Sequence, residues 1–412
     1  MSISPSARTL RKKWSLFGGA SAPWFAAALA VAWCGAAGCQ AVEADPPPMP
    51  EETYYLEPPG YSVEDYITDL EVVWDFAFLP DDRLLFTERP GRIRVASPDG
   101  ELQPEPWASP ENVYHSGGGG MMGLALYPDF EAEPWVYAMY TLDTEDGPEN
   151  RVVRYRDGGA QGTDKEVILD HLPAANTHNG GRIAFGPEDG MLYVTIGDTG
   201  QAGAAQDIHN LRGSILRVTP EGAIPEDNPW PDTPVWATGL RNVHGLAFHP
   251  DTGALFAADH GPTGRDQMHI VEGGKNYGWP HVFGAAGHED YEDPILEWTP
   301  AAPPGALAFY DGDLMPELQG DLLFTTLRSS ALIRIQFDDA DDPHRPTAIE
   351  RWFAEEDLGD APYGSPDSAH GRLRAIAVGP DGALYMGTSN IDRNRGHIQD
   401  GDDRIVRIAP AE

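Results

Sequence analysis

Six stretches of the chain repeat one phrase: a large apolar residue, alanine, a second large apolar residue, then a proline-led turn and another apolar run. They are Phe76-Ala77-Phe78, Leu124-Ala125-Leu126, Ile183-Ala184-Phe185, Leu246-Ala247-Phe248, Leu307-Ala308-Phe309 and Ile376-Ala377-Val378. The turns open at Pro80, Pro128, Pro187, Pro250, Pro316 and Pro380. Several continue as Asp or Glu plus Gly, the chemistry of a tight reversal between strands. The copies are roughly 50 to 65 residues apart, and most intervals hold a further strand-like run such as Ser214 to Val218 or Arg404 to Ile408. The pattern predicts an all-β fold, a six-bladed β-propeller with four-stranded antiparallel blades. Alternating apolar strands also build sandwiches, but six in-register copies favour radial repetition.

The repeat fixes which end of the barrel each loop occupies. If the first strand of every hairpin runs from mouth to base, the proline turn lies at the base and the second strand climbs back. Two stretches per blade then meet at the mouth. One immediately precedes the alanine-centred strand and holds His178 to Arg182, Arg241 to His244, and Arg372 with Arg374. The other lies about eight to twelve residues beyond the turn proline and holds Asp198, His260-Gly261-Pro262 and Arg328.

Composition adds boundaries. The chain has 412 residues with 46 Gly and 38 Pro, which suits many short turns better than helices. The formal charge of −37 becomes about −41 once Arg8, Arg11, Lys12 and Lys13 of the leader are set aside, and this argues against a nucleic-acid partner. Residues 1–39 read as an export signal of lipoprotein type: a basic stretch, an Ala-rich uncharged run, and Ala36-Ala37-Gly38-Cys39, similar to the box cut by lipoprotein signal peptidase. A plain cleaved signal and an uncleaved anchor are the other readings. Membrane contact is therefore expected only through a lipid anchor or this segment. Residues 40–60, with Pro46-Pro47-Pro48, read as a stiff linker, and residues 61–412 as the catalytic propeller. Cys34 and Cys39 both fall in the leader, so the propeller has neither a disulfide nor a thiol nucleophile.

Among the mouth residues, His178 sits on a glycine-rich approach to a central strand, where a neutral imidazole could take a proton. Asp198, at the mouth end of the next strand, could orient the ring and stabilise its charged form. Arg372 and Arg374 share one face of an extended segment, and Arg328 arrives from the neighbouring blade. Three guanidinium groups on so acidic a chain point to a multiply anionic ligand or to ion pairing with Asp and Glu. The carbonyls of Gly261 and Pro262 could face an ion; calcium accepts backbone oxygens, and no zinc ligand set is encoded. The same dipeptide also marks an ordinary loop corner. Phosphate-cradling, dinucleotide-binding, nucleophile-elbow and haem-attachment motifs do not occur.

Taken in order, the motifs resemble the PQQ-dependent soluble aldose sugar dehydrogenases, the glucose/sorbosone dehydrogenase family, over roughly residues 65 to 409. They are Glu88-Arg89-Pro90-Gly91, Gly120-Met121-Met122-Gly123, Pro128-Asp129-Phe130, His178 to Arg182, Ile196-Gly197-Asp198, Gly213 to Arg217, Gly239 to Asn242, His260-Gly261-Pro262, Gly274 to Pro280, and the pair Arg372 and Arg374. The resemblance implies a six-bladed propeller holding PQQ and Ca²⁺ at its mouth and oxidising aldoses to lactones. In that scheme His178 takes the proton of the anomeric hydroxyl, hydride passes to the quinone C5, and Arg241 with the metal polarises the quinone carbonyl. Asp198 stands beside the base. Asn242 and His260 belong to the cofactor site, Arg328, Arg372 and Arg374 clamp the carboxylates, and Gly261 and Pro262 hold the metal. An aldose substrate and an external electron acceptor, a quinone or a cytochrome, follow from it.

The chain also departs from the family pattern. The run Gly117 to Gly120 stands where a quinone-contacting glutamine is common, Asp259 and Gln267 replace glutamates, and His244 replaces a glutamine. Two other functions fit a propeller: a calcium-dependent lactone hydrolase and a binding propeller without chemistry. The first would need axial side-chain carboxylates, and the second would have no use for a base beside arginines.

Overall fold

The computed structural model describes residues 42–299, 301–337, 345–354, 370–393 and 402–411. Contacts divide the chain into Met1–Gln40, which contains the leader with Cys34 and Cys39 and lies outside the described residues, and Ala41–Glu412. The second unit is the six-bladed propeller, and its described residues include no α-helix.

Each copy of the repeated phrase forms the first strand of a blade. Blade 1 is built from Val73–Phe78, Leu84–Glu88 and Arg92–Ala96, with bridges from Ile93 to Ala108 and Ala96 to Leu102 in place of a fourth strand. Blade 2 has Met121–Leu126, Trp135–Thr144, Gly147–Asp157 and Gly162–Pro173, and blade 3 has Ile183–Phe185, Leu192–Ile196, Ser214–Val218 and Val235–Ala237. Blade 4 has Val243–Phe248, Leu255–Asp259, Asp266–Val271 and Leu296–Trp298. Blade 5 has Pro304–Phe309, Leu322–Thr326, Leu332–Phe337 and Pro346–Trp352. Blade 6 has Leu373–Val378, Leu384–Thr388 and Asp403–Pro410, completed on its outer edge by Tyr61–Leu70 from the start of the propeller. Each first strand touches the next around the axis, and that of blade 6 returns to that of blade 1, so the ring is closed.

The alanines have a common cause. Across each first hairpin Ala77, Ala125, Ala184, Ala247, Ala308 and Ala377 pair with Leu85, Tyr137, Tyr193, Phe256, Leu323 and Tyr385. Directly opposed residues project to the same face of the sheet. A methyl on the crowded inner strand therefore leaves room for a large side chain one strand out, which fills the widening wedge between blades.

The segment read as a stiff linker lies along the propeller. Val42–Glu43 pairs with Val282–Phe283, and Glu52–Tyr55 adds a parallel strand to the outer edge of blade 5. Glu43 is held by Arg265 at 2.9 Å, and Glu52 accepts the Trp298 indole at 3.0 Å. Three prolines stiffen the connection between these anchors, but they do not hold it away from the fold.

Candidate active site

The expected polarity of the strands is observed. The loops that precede each first strand and follow each second strand gather at one end, and the proline turns at the other. At the turn end, Pro80, Asp82, Asp311, Asp313 and Pro380 are among the residues around an open cavity, away from the mouth chemistry.

His178 lies in the loop between blades 2 and 3 with φ 53°. Its Nδ1 is 2.6 Å from Asp198 Oδ1. A carboxylate only accepts, so Nδ1 carries the proton and Nε2 is the nitrogen left to receive one. The imidazole remains 21% exposed, whereas the Asp198 side chain is 2% exposed. Oδ1 of Asp198 also accepts the Gly200 amide at 2.8 Å, and Oδ2 accepts the Trp279 indole at 3.0 Å. Burial works against the charge of Asp198, but the bonds from His178, Gly200 and Trp279 outweigh it and hold the carboxyl below its ordinary range. Gly197 is required here, because a Cβ would stand 2.1 Å from the His178 carbonyl oxygen.

Arg241 is tied to the same pair through its carbonyl, which accepts the Asp198 amide at 2.7 Å. Its Nη1 donates to the His260 carbonyl at 2.9 Å, and its guanidinium lies 5.4 Å from the centroid of the Trp279 ring. Asp259 fixes this loop by accepting the backbone N–H of both Arg241 (2.8 Å) and Asn242 (2.6 Å). Burial pushes Asp259 up to about 6 even so. Asn242 is buried, with Oδ1 accepting the Gly180 amide at 3.1 Å and Nδ2 3.2 Å from His244 Nε2.

His260 donates Nε2–H to the Pro304 carbonyl at 2.8 Å and meets the His244 ring edge-on at 4.4 Å. Burial, with the charge of Arg241 next and that of Arg374 adding to it, presses His260 down to about 3. Gly261 also has to be glycine, since a Cβ there would overlap the Arg265 carbonyl at 1.5 Å. Its amide donates to Asp266 Oδ1 at 3.1 Å, while Asp266 Oδ2 is buried without a protein partner. Burial pushes Asp266 up to about 7, and the neighbouring Asp259 adds to the rise. A buried carboxylate oxygen lacking a donor is a ligand type that a hard cation such as calcium accepts, while the Pro262 carbonyl accepts the Arg265 amide at 3.2 Å.

The arginines do not stand uncommitted. Arg374 Nη2 donates to Asp392 Oδ2 at 2.5 Å, and Arg89 Nη2 reaches Asp392 Oδ1 at 2.5 Å. Burial disfavours the charge of Asp392, but Arg374, Arg89 and Arg372 together hold its carboxyl low. Asp392 thus pairs with two guanidinium groups, and the charge of Arg372 adds to their field on it. Nε of Arg241 and of Arg374 are buried without protein acceptors. Arg328 follows the strand ending at Thr326, which pairs with Pro304, so it belongs to the same rim as the Pro304 carbonyl bound by His260. The run Gly117 to Gly120 packs on the loop that carries His178, where the Gly118 amide donates to Asn176 O at 2.9 Å, and Arg89 Nη1 donates to the Gly117 carbonyl.

Asp392 was not singled out by sequence, and Arg89 and Trp279 entered only as members of the motifs Glu88 to Gly91 and Gly274 to Pro280, without a site role. Arg89 and Asp392 lie nine and twelve residues beyond Pro80 and Pro380, so the placement rule reaches both. Only the three-dimensional contacts show what Trp279 touches, since it enters from a loop after the third strand of blade 4. The described residues do contain a Glu149, Asp170 and His171 group close enough to share a metal, but it is on the outer strands of blade 2, with Asp170 held by Arg151.

The closed propeller with a His–Asp pair and arginines on its mouth loops belongs to a class of propeller oxidoreductases. Residues 70–398 match the family described as Glucose / Sorbosone dehydrogenase, and the chain belongs to that family. It is 29% identical over 356 residues to the aldose sugar dehydrogenase YliI of Escherichia coli K12, covering 81% of this chain and 91% of that protein. Against quinoprotein glucose dehydrogenase B of Acinetobacter calcoaceticus it is 30% identical, over 58% of this chain and 57% of the relative. The PQQ-bound aldose sugar dehydrogenase of Streptomyces coelicolor superposes with a TM-score of 0.72 at 33% identity, covering 86% of this chain and 99% of that one.

Proposed function

We propose that the protein is an exported, lipid-anchored, PQQ- and Ca²⁺-dependent dehydrogenase that oxidises aldoses at the anomeric carbon to lactones. The observation that carries the reading is the His178–Asp198 pair at 2.6 Å, which leaves Nε2 as the nitrogen able to take a proton. Arg372, Arg374 and Arg328 would hold the three carboxylates of the quinone, and the Gly261 and Pro262 carbonyls the metal, with Asp266 behind them. When bound, the quinone supplies the two-electron acceptor for the hydride leaving C1, and calcium supplies Lewis acidity. His178 Nε2 takes the proton of the anomeric hydroxyl as its oxygen becomes a carbonyl oxygen, and Asp198 stabilises the resulting imidazolium. Arg241 presents its guanidinium to developing negative charge, with the Trp279 face beneath it. An external quinone or cytochrome would serve as the final electron acceptor.

The leader with Cys39 would place the propeller outside the cytoplasm. Among the described residues no helix is long and apolar enough to cross a membrane. A lactone hydrolase is disfavoured because the mouth presents guanidinium groups where that chemistry needs metal-holding side chains. The test is dye-linked oxidation of a panel of aldoses by purified protein supplied with PQQ and Ca²⁺. Sugar-dependent dye reduction is expected, and its absence across the panel would overturn the reading.

A further inference from the structure

His244, beside the Arg241–Asn242 loop, is partly buried, and its tautomer follows from its neighbours. Asn242 Oδ1 is occupied as acceptor by the Gly180 amide at 3.1 Å, so the Asn242 group facing His244 is the donating Nδ2. His244 Nε2 must therefore accept, and the ring proton sits on Nδ1, which is buried without a protein partner. Burial, reinforced by His260, Arg374, Arg182 and His178, keeps the ring neutral and able to accept. The ring is fixed on two sides, at 4.4 Å from His260 and 6.0 Å from Trp74.

Gly180 is two residues from His178 and adopts φ +69°, where a Cβ would meet the Thr195 carbonyl oxygen at 2.4 Å. Its amide bond to Asn242 pins the loop on one side, and the Thr199 amide pins it on the other by donating to His178 O at 3.1 Å. Were the Asn242 amide to rotate by half a turn, its NH₂ would face the Gly180 N–H, donor against donor, and the imidazole Nε2 would face an oxygen.

We propose that His244 is a positioning residue whose Nε2 acceptor sets the orientation of the Asn242 amide and through it the backbone carrying His178. The proposal rests on the reading of His178 as the base, but the backbone contact stands independently of it. His244→Phe keeps an aromatic ring and removes the acceptor. His244→Asn keeps polarity on a stem too short to reach, and His244→Gln restores an acceptor.

The experiment has two readouts on the full chain. The first is hydrogen exchange of the Gly180 amide in the apoprotein, resolved by NMR. The second is kcat against KM for aldose oxidation with PQQ and Ca²⁺. His244→Phe and His244→Asn should speed Gly180 exchange about tenfold or more and lower kcat by a similar factor, with KM and quinone affinity little changed, while His244→Gln stays near the parent. Unchanged Gly180 exchange in the folded Phe or Asn variant would overturn the proposal. So would equal losses in all three variants. If the parent protein oxidises no sugar, the function assignment fails while the exchange data still decide the role of His244.

Discussion

Trp279 donates its indole N–H to Asp198 Oδ2 at 3.0 Å, the carboxylate oxygen opposite the one that holds His178. One side chain from blade 4 therefore locks the carboxylate that orients an imidazole at the start of blade 3, and its ring face lies under Arg241. Trp279→Phe keeps the ring and deletes the donor. The expected result is a loss of about tenfold in kcat, the size of one charge-assisted hydrogen bond, with quinone affinity nearly unchanged. Steady-state kinetics checks this, and an unaltered kcat would show that the carboxylate holds its position without the indole.

His178→Ala should lower kcat by about 10² to 10⁴-fold, the range expected for removal of a general base. The variant should still bind quinone within a few-fold of the parent, because none of the arginine contacts passes through the imidazole. Absorbance titration and turnover on the same preparation separate the two effects. Turnover surviving at the parent rate would place the base elsewhere.

Arg374 and Arg89 pair with the carboxylate of Asp392, and their fields together with that of Arg372 hold it low against burial. Arg372→Gln removes one unit of that charge and should weaken quinone binding by about tenfold or more, most visibly at low salt. Equilibrium titration at two ionic strengths tests this. Equal affinity for parent and variant would exclude the clamp.

The repeated Ala-centred strands announced the architecture because the constraint behind them is local: a small residue on the inner strand facing a large one on the next. Ala184 against Tyr193 is the same arrangement as Ala377 against Tyr385. The mouth residues were legible for a related reason, since a regular hairpin fixes which end His178, Asp198, Arg241 and His260 reach. Closure of blade 6 by Tyr61–Leu70 was not legible, because pairing between the two ends of a chain leaves no local pattern. The docking of residues 42–55 was hidden likewise, as it depends on partners such as Arg265 and Trp298 more than two hundred positions away. The carboxylate of Asp392 escaped notice because sequence shows which cations meet but not which anion they share.

Stability should fall in acid for a reason apart from the mouth. His269 is buried against Tyr277, ring centroids 4.9 Å apart, and burial presses it from 6.5 down to about 3. As pH drops below 6.5 the unfolded chain takes up a proton that the folded one refuses until about 3, so the native state loses stability across that window and retains it above. The loss approaches about 1.4 kcal/mol per pH unit for one such group. His269→Phe preserves the ring contact and should flatten the acid side of the profile by that slope. Urea midpoints measured through the window give the comparison, and parallel profiles for both proteins would refute the assignment.

Calcium should act with the quinone. Chelation ought to lower both quinone affinity and turnover, and returning Ca²⁺ should restore them. Asp266→Asn should raise the calcium concentration needed, because Oδ2 is the buried oxygen without a protein donor behind the Gly261 loop. Identical calcium dependence in variant and parent would remove Asp266 from the metal's surroundings.

The most direct measurement is an absorbance titration of the purified apoprotein with PQQ in the presence of Ca²⁺, followed by addition of an aldose. Saturable binding at one quinone per chain and loss of the oxidised-quinone spectrum on adding sugar are the predicted results. A quinone spectrum indistinguishable from that of PQQ in buffer, unchanged by sugar, would contradict the central claim that this cationic mouth is a redox-cofactor site.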